Sequence, residues 1–160
     1  MELTNQLAPA FEKVLHAAVT CPEPPAADEK EGRLDLAVLF TSPDATLRAL
    51  RRAGALASEL NARIVLLVPQ VVPFPLPLTS PPVLLDFQEQ RLRAIAEDSS
   101  VPTTVRIYLC RDRWGLLSTI LKPASLIVVG GHRQWWRTRE QRLASRLYKA
   151  GHQVIFAEME

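Results

Sequence analysis

The fold is decided by the stretch Ser125-Leu-Ile-Val-Val-Gly-Gly131, which continues as His132-Arg-Gln-Trp-Trp-Arg-Thr138. A short run of aliphatic residues ends there at two adjacent glycines, and an amphipathic helical pattern begins a few residues later. A strand, a glycine loop and a helix N-terminus in this order form anion sites in α/β proteins, because the first N–H groups of a helix have no partner within it. The stretch therefore predicts an α/β fold with a phosphate or nucleotide site.

Helix and strand patterns alternate from Arg33 to the C-terminus. Strands are predicted at residues 34–40, 63–68, 103–110, 126–129 and 153–157 from their apolar runs. Helices are predicted between them, with N-caps at Ser42, Asp112 and Thr138 and with ends at Asn61, Pro123 and Gly151. This order predicts a five-stranded, mostly parallel sheet with helices on both faces, as in Rossmann-like doubly wound folds.

The segment from Pro69 to Pro82 is rich in proline. Because proline is excluded from helix interiors and central strands, we expect an extended loop there, with a polyproline ligand as the functional alternative. The second helix is predicted after this loop, at about residues 83–97.

Residues 1–32 are predicted to extend an α/β domain that spans residues 33–160. Apolar residues recur at helical spacing near the start of the chain and predict an amphipathic helix at about 8–18 that docks on the domain. Residues 21–32 are acidic and rich in proline, which is typical of a linker.

Composition restricts the class of protein. The net charge of +2 disfavours nucleic acid as a partner and adsorption to a membrane surface. No run approaches the roughly 20 apolar residues of a membrane span, and the N-terminus lacks the pattern of a signal peptide. Cys21 and Cys110 have no metal-ligand spacing and are interpreted as free thiols, so we expect a cytoplasmic protein without a metal.

From Leu34 to the C-terminus the chain resembles the universal stress protein family. The resemblance is carried by Asn61-Ala-Arg-Ile-Val-Leu-Leu-Val68, by Leu126-Ile-Val-Val-Gly-Gly-His132 and by Gly151-His-Gln-Val-Ile-Phe156, in the family's order. The resemblance implies a role in the stress response and a homodimer. It implies no required cofactor, but it makes ATP or AMP possible as a bound nucleotide. The dimer would form through the last strand, at Val154, Ile155 and Phe156.

The chain departs from the family's nucleotide site at three places, two in its glycine motif and one at the end of the first strand. That motif has a glycine, two residues, a glycine, nine residues, and then glycine followed by Ser or Thr. Gly130 matches its start, but Arg133 replaces the second glycine and Ala144-Ser145 replaces the final pair, one residue late. Phe40 also stands where ATP-binding members have an aspartate. The resemblance thus implies a degenerate site that does not bind ATP in the family's usual manner, at Thr41, Ser42, Gly130, Gly131, His132, Arg133 and Ser145.

The basic segment 132–149 offers an alternative site for a phosphorylated ligand or nucleic acid. Arginines interleaved with aromatic residues suit phosphate contacts and base stacking. The candidate contacts are Trp135, Trp136, Arg137, Arg139, Arg142 and Arg146. The near-neutral net charge favours a simpler interpretation, in which the charges form a solvated helix face and the tryptophans pack under the loop or in a subunit contact.

No catalytic arrangement is evident in the sequence. His16, His132 and His152 have no Ser or Cys nucleophile placed beside them by spacing, and Asp112 is explained as a helix cap. We therefore expect a binding or regulatory module, with an enzyme that acts on a nucleotide through His132 as the remaining alternative.

Overall fold

The computed structural model describes residues 10–14, 34–77, 85–98 and 103–159. The strands in these ranges are β1 (Ala10–Val14), β2 (Asp35–Leu39), β3 (Arg63–Val71), β4 (Thr103–Cys110), β5 (Leu126–His132) and β6 (Gln153–Met159). The helices are α1 (Pro43–Leu60), α2 (Leu85–Asp98), α3 (Arg113–Ile120) and α4 (Arg139–Lys149).

The strands form one parallel sheet in the order β1-β4-β3-β2-β5-β6. Side chains of β2 alternate between two cores. Val38 packs with α1 and α2 on one face, and Leu39 packs with α3 and α4 on the other. The predicted α/β class, its five parallel strands and its helices on both faces are confirmed.

Helix ends follow the predicted caps. The Ser42 hydroxyl accepts from the Ala45 N–H at 3.4 Å at the start of α1, and Asn61 ends that helix with a φ of 51°. Asp112 accepts from the Gly115 N–H at 2.6 Å and caps α3. Thr138 forms a complete capping box with Gln141 at the start of α4. Each cap satisfies a backbone group that the helix itself leaves unpaired.

The predicted N-terminal helix is wrong where the chain is described. Residues 10–14 form β1, which pairs with β4 in parallel from Ala10 opposite Thr104 to Val14 opposite Tyr108. Without this strand, β4 would present a row of unpaired backbone groups at the sheet edge, so strand pairing overrides the local helical spacing. The acidic linker at 21–32 and His16 lie outside the described residues.

The predicted exclusion of Pro69 from a strand is also wrong. β3 continues through Pro69 to Val71 and pairs with β4 as far as Cys110. Its other neighbour β2 ends at Leu39, opposite Leu67. Because β3 has one partner strand beyond that point, a residue without an N–H removes no hydrogen bond on the open side.

Candidate ligand-binding site

The strand order places a topological switch between β2 and β5. β2 is followed by a chain that leads to β3 on one side, whereas β5 lies on its other side. In open parallel sheets, ligands bind in the crevice at the carboxyl ends of the strands at such a point. Phe40, Thr41 and Ser42 lie on the β2 side of this switch-point crevice, and the end of β5 lies opposite.

The polar groups of the switch-point crevice pair with one another. The Thr41 hydroxyl donates to the Gly130 carbonyl at 3.0 Å, and the Thr41 N–H donates to the hydroxyl of fully buried Thr46 at 3.2 Å. The Ser42 hydroxyl is engaged as the cap of α1. These predicted site residues are therefore brought together, but their hydrogen bonds serve the fold.

Gly130 and Gly131 lie within β5, opposite Ala157 and Glu158 of β6. The predicted loop therefore begins after His132 rather than after Val129. A Cβ atom on Gly130 would overlap the backbone carbonyl of Ala45 in the first turn of α1. The two glycines thus let helices approach β5 closely, and neither adopts the positive φ that an anion-binding backbone nest uses.

The space beside Gly131 is filled on the opposite face of the sheet. A Cβ atom there would lie 2.8 Å from the Glu140 Cβ atom and 2.9 Å from the Phe156 Cζ atom. Phe156 and Val154 are half-buried against the α4-side core, while Ile155 packs toward α1. Part of the apolar character of β6 is therefore used within the chain.

Arg113 is a residue of this crevice that the sequence analysis did not identify. Its guanidinium donates to the Phe40 carbonyl at 2.5 Å, and its Nε atom is buried without a hydrogen-bond partner in the described structure. Burial lowers the pKa of Arg113, an effect that the nearby Glu140 carboxylate opposes. A cation in the first turn of α3 interacts unfavourably with the helix dipole. This unfavourable placement is the sequence signal that could have identified Arg113 as a site residue.

An open groove of ≈ 380 Å³ lies between the loop after β5, α4 and β6. We call it the α4 groove, and it is lined by Arg133, Gln134, Arg137, Gln141, Ala144, Ser145 and Phe156. Arg133 and Ser145 were predicted site residues, and Arg137 was a predicted phosphate contact. Gln141 and Phe156 join them because a capped helix and the last strand bring distant parts of the chain together.

The two arginines of the α4 groove differ in their pairing. Arg133 forms an ion pair of 2.9 Å with Glu158, and both side chains are largely exposed. Arg137 is exposed and has no ion pair within the described ranges. Glu158 therefore competes with any anion for Arg133, whereas Arg137 is available to a ligand.

The tryptophans of the loop do not pack beneath it. Trp135 is 94% exposed and Trp136 is 80% exposed. Together with the exposed arginines of the same segment, they form what we call the Arg/Trp surface, comprising Trp135, Trp136, Arg137, Arg139, Arg142 and Arg146. Arg146 lies 4.1 Å from the centroid of the Trp114 ring in α3, so this guanidinium has a cation–π partner within the fold.

Among the described residues, the histidine and cysteine side chains form no second site. His132 is exposed at the end of β5, and the His152 Nδ1 atom accepts from the Ser125 N–H at 3.2 Å. Cys110 is a buried free thiol. In the part of the chain that the structure describes, no group of three His, Cys, Asp or Glu residues could hold a metal ion. None of the described helices is both long enough and apolar enough to cross a membrane.

No protein-family model matches this chain, and no curated protein is significantly similar to it. The resemblance to universal stress proteins accordingly stays a prediction, based on the order of elements and on local sequence pattern.

Proposed function

We propose that this protein is a non-enzymatic binding and regulatory module of the universal stress protein type that holds a phosphorylated small molecule in the α4 groove. The observation that carries the proposal is the convergence of two arginines, two glutamines and a serine on one groove of ≈ 380 Å³. These groups are the donors that phosphate oxygens accept from most strongly.

The switch-point crevice supports the second part of this proposal, that ATP is not bound in the family's usual manner. The backbone of α1 lies against Gly130, and the Thr41 hydroxyl donates to the Gly130 carbonyl. A triphosphate placed against that glycine would have to displace α1 and break the Thr41 hydrogen bond. The α4 groove, by contrast, is open to solvent and needs no such rearrangement.

The test is a calorimetric titration of the full chain with pyrophosphate, AMP and magnesium-ATP at low ionic strength. We expect saturable binding that weakens as salt is added, because the site is exposed and its charges are screened. Replacing Arg137 with Gln should weaken binding about tenfold, since a charge-assisted hydrogen bond contributes roughly 1.5–3 kcal/mol. The Glu158→Gln variant should bind more tightly because it releases Arg133.

The matched control is Arg52→Gln. Arg52 is an exposed arginine of α1, which packs on the opposite face of the sheet from α4, so the variant removes the same charge from a residue that does not line the α4 groove. Opposite effects of Arg137→Gln and Glu158→Gln, with no effect of Arg52→Gln, would support the α4 groove as the site. Equal weakening by Arg137→Gln and Arg52→Gln would mean nonspecific charge attraction and would overturn the proposal.

A homodimer through β6 is a further part of this proposal. In the described sheet β6 pairs with β5 alone, so its outer edge has backbone groups free for a second copy. Light scattering of the full chain over a range of concentrations tests it, and Ile155→Pro should shift the protein to monomer. A wild-type chain that is monomeric at high concentration would remove the dimer and leave ligand binding untouched.

A further inference from the structure

The exposed tryptophans of the Arg/Trp surface have no role within the described fold. Trp135 and Trp136 are 94% and 80% exposed, although a large aromatic side chain gains most stability when it is buried. Adjacent exposed indole rings on a protein surface indicate a binding partner outside the chain.

The loop that presents these rings is fixed at both ends. At its start, Arg133 is held by the ion pair with Glu158 of β6 at 2.9 Å. At its end, the Thr138 N–H donates to the Gln141 side chain at 3.0 Å, and the Thr138 hydroxyl accepts from the Gln141 N–H at 3.2 Å. The indoles therefore extend from a short, anchored segment, which reduces the entropy lost when a partner orders them.

Positive charge predominates around the rings, although Glu158 of β6 pairs with Arg133 at the start of the loop. Residues 132–149 contain six Arg or Lys residues and a single acidic residue, Glu140. Glu140 is half-buried beside Gly131. Arg139 and Arg142 are exposed and form no ion pair within the described ranges. This surface is therefore strongly cationic, although the net charge of the whole chain is only +2.

The spacing of these cations fits an extended polyanion. Arg139, Arg142, Arg146 and Lys149 follow one side of α4 at helical spacing, and the side of α4 that carries Leu147 is buried in the core. Ten residues of helix extend about 15 Å. That length matches several phosphates of one strand, which follow one another at a rise of roughly 3.4 Å along the axis of a stacked duplex.

We propose that the Arg/Trp surface binds single-stranded nucleic acid, with bases stacked on Trp135 and Trp136 and phosphates on Arg139 and Arg142. Indole rings accept the face of any base, and the arginines of α4 follow the backbone, so the binding is tolerant of sequence. A protein interface is disfavoured as the occupant because the centre of such an interface is depleted in charge, whereas these rings are surrounded by cations. The inference does not rest on phosphate binding in the α4 groove, because Arg139 and Arg142 do not line that groove, although Arg137 belongs to both regions.

The experiment is fluorescence anisotropy of the full chain with a labelled 20-nucleotide pyrimidine DNA strand, the RNA of the same sequence, and a DNA duplex. We expect binding to the single strands that is tighter than binding to the duplex. The logarithm of the affinity should fall with the logarithm of salt concentration with a slope of about −0.7 per contacted phosphate. Binding of either the DNA or the RNA strand supports the proposal.

Variants separate stacking from charge. Trp135→Ala with Trp136→Ala should weaken single-strand binding at least tenfold and leave the salt slope unchanged. Arg139→Gln with Arg142→Gln should make the slope less steep by about 1.4, because two phosphate contacts are lost. Arg52→Gln is the matched control and should change neither quantity.

Two results would overturn the proposal. One is the absence of single-strand binding at low salt by a chain whose circular dichroism is that of a folded protein. The other is duplex binding as tight as single-strand binding and insensitive to the tryptophan substitutions, which would indicate charge attraction alone. A monomer–dimer equilibrium that the tryptophan substitutions abolish, without oligonucleotide binding, would assign the surface to a second copy of the chain. Glu158→Gln reports on the α4 groove separately through pyrophosphate binding.

Discussion

The switch-point crevice ends at β5, and the Arg/Trp surface begins in the loop that follows β5. The two regions differ in whether their functional groups are paired within the fold. In the crevice, Thr41 and Ser42 donate to or accept from neighbours within the fold. On the surface, Trp135, Trp136 and Arg137 extend into solvent. The fold places its expected ligand site at the first region, yet the groups free to bind a ligand are at the second. Position in a fold alone therefore does not locate a site.

The largest expected effect is that of a side chain on Gly130. Gly130→Ala places a methyl group against the Ala45 carbonyl, which belongs to helix backbone and has little room to move. We expect a loss of about 3 kcal/mol in the free energy of unfolding, at the upper end of overpacking costs. Urea denaturation measures it through the midpoint at unchanged slope.

Gly131→Ala is the matched variant. Its methyl group would meet side-chain atoms of Glu140 and Phe156, which yield more easily than a carbonyl, so we expect a loss of about 1 kcal/mol. A Gly130→Ala protein as stable as the wild type would show that α1 can move away from β5. The crevice would then be able to open for a ligand, and the contrast between the two regions would fail.

The next effect compares the caps of the two regions. Thr138→Ala removes the half of the α4 capping box in which the Thr138 hydroxyl accepts from the Gln141 N–H, and should destabilise the protein by about 1 kcal/mol. Ser42→Ala should have a smaller effect, because its hydrogen bond to the Ala45 N–H is 3.4 Å long and Pro43 already sets the first helical φ. Thermal unfolding of both variants checks the order, and the reverse order would contradict this account of how the loop is anchored.

The titration of Cys110 reports on how well water is excluded from the interior beside the crevice. Burial raises the pKa of this thiol above its ordinary value of 9.0, and the Asp112 carboxylate adds to the effect. The folded state thus holds the proton more tightly than the unfolded chain, so the stability from this group is complete below about pH 9 and is lost above it.

We expect the wild type to lose more stability than Cys110→Ala between about pH 8 and about pH 10, by up to roughly 1.4 kcal/mol per pH unit. Comparing the two proteins removes the contribution of other groups that titrate in this range. Parallel pH profiles would mean that the thiolate is solvated at this position.

The smallest effect is expected on the Arg/Trp surface. Trp135→Ala and Arg142→Gln should change the free energy of unfolding by no more than about 0.5 kcal/mol, because both side chains are exposed. Urea denaturation measures these values alongside those of the glycine variants. A loss above 1 kcal/mol for Trp135→Ala would show that the ring contributes to the stability of the folded protein. Its exposure would then no longer indicate an external partner.

Much of the fold is predictable from the sequence because its signals are local. Caps at Ser42, Asp112 and Thr138 and apolar runs in the central strands determine the elements and their parallel order. β1 and the strand through Pro69 are not predictable in this way, since both depend on which neighbour a strand meets in the sheet.

The candidate site is likewise predictable from the sequence only in part. The basic spacing on α4 and the glycines of β5 are visible in the sequence. The exposure of Trp135, the ion pair of Arg133 with Glu158 and the buried contact of Arg113 with Phe40 arise from tertiary packing. The sequence therefore names most of the groups involved but cannot tell a buried aromatic residue from a solvent-exposed one.

The position of β2 in the sheet has a consequence for the order of folding. Leu36 lies opposite Ile64 on one side and opposite Leu126 on the other, which is far later in the chain. β2 and β3 are separated in the chain only by the connection that contains α1, so they can pair early. Pairing of β2 with β5 must wait until most of the chain has been synthesised. Until then β2 has an open edge of unpaired backbone groups, and its apolar side chains Leu36, Val38 and Leu39 flank that edge on both faces, which favours association with other chains. A chain that ends before Leu126 is therefore expected to aggregate even though most of its helices and strands are present.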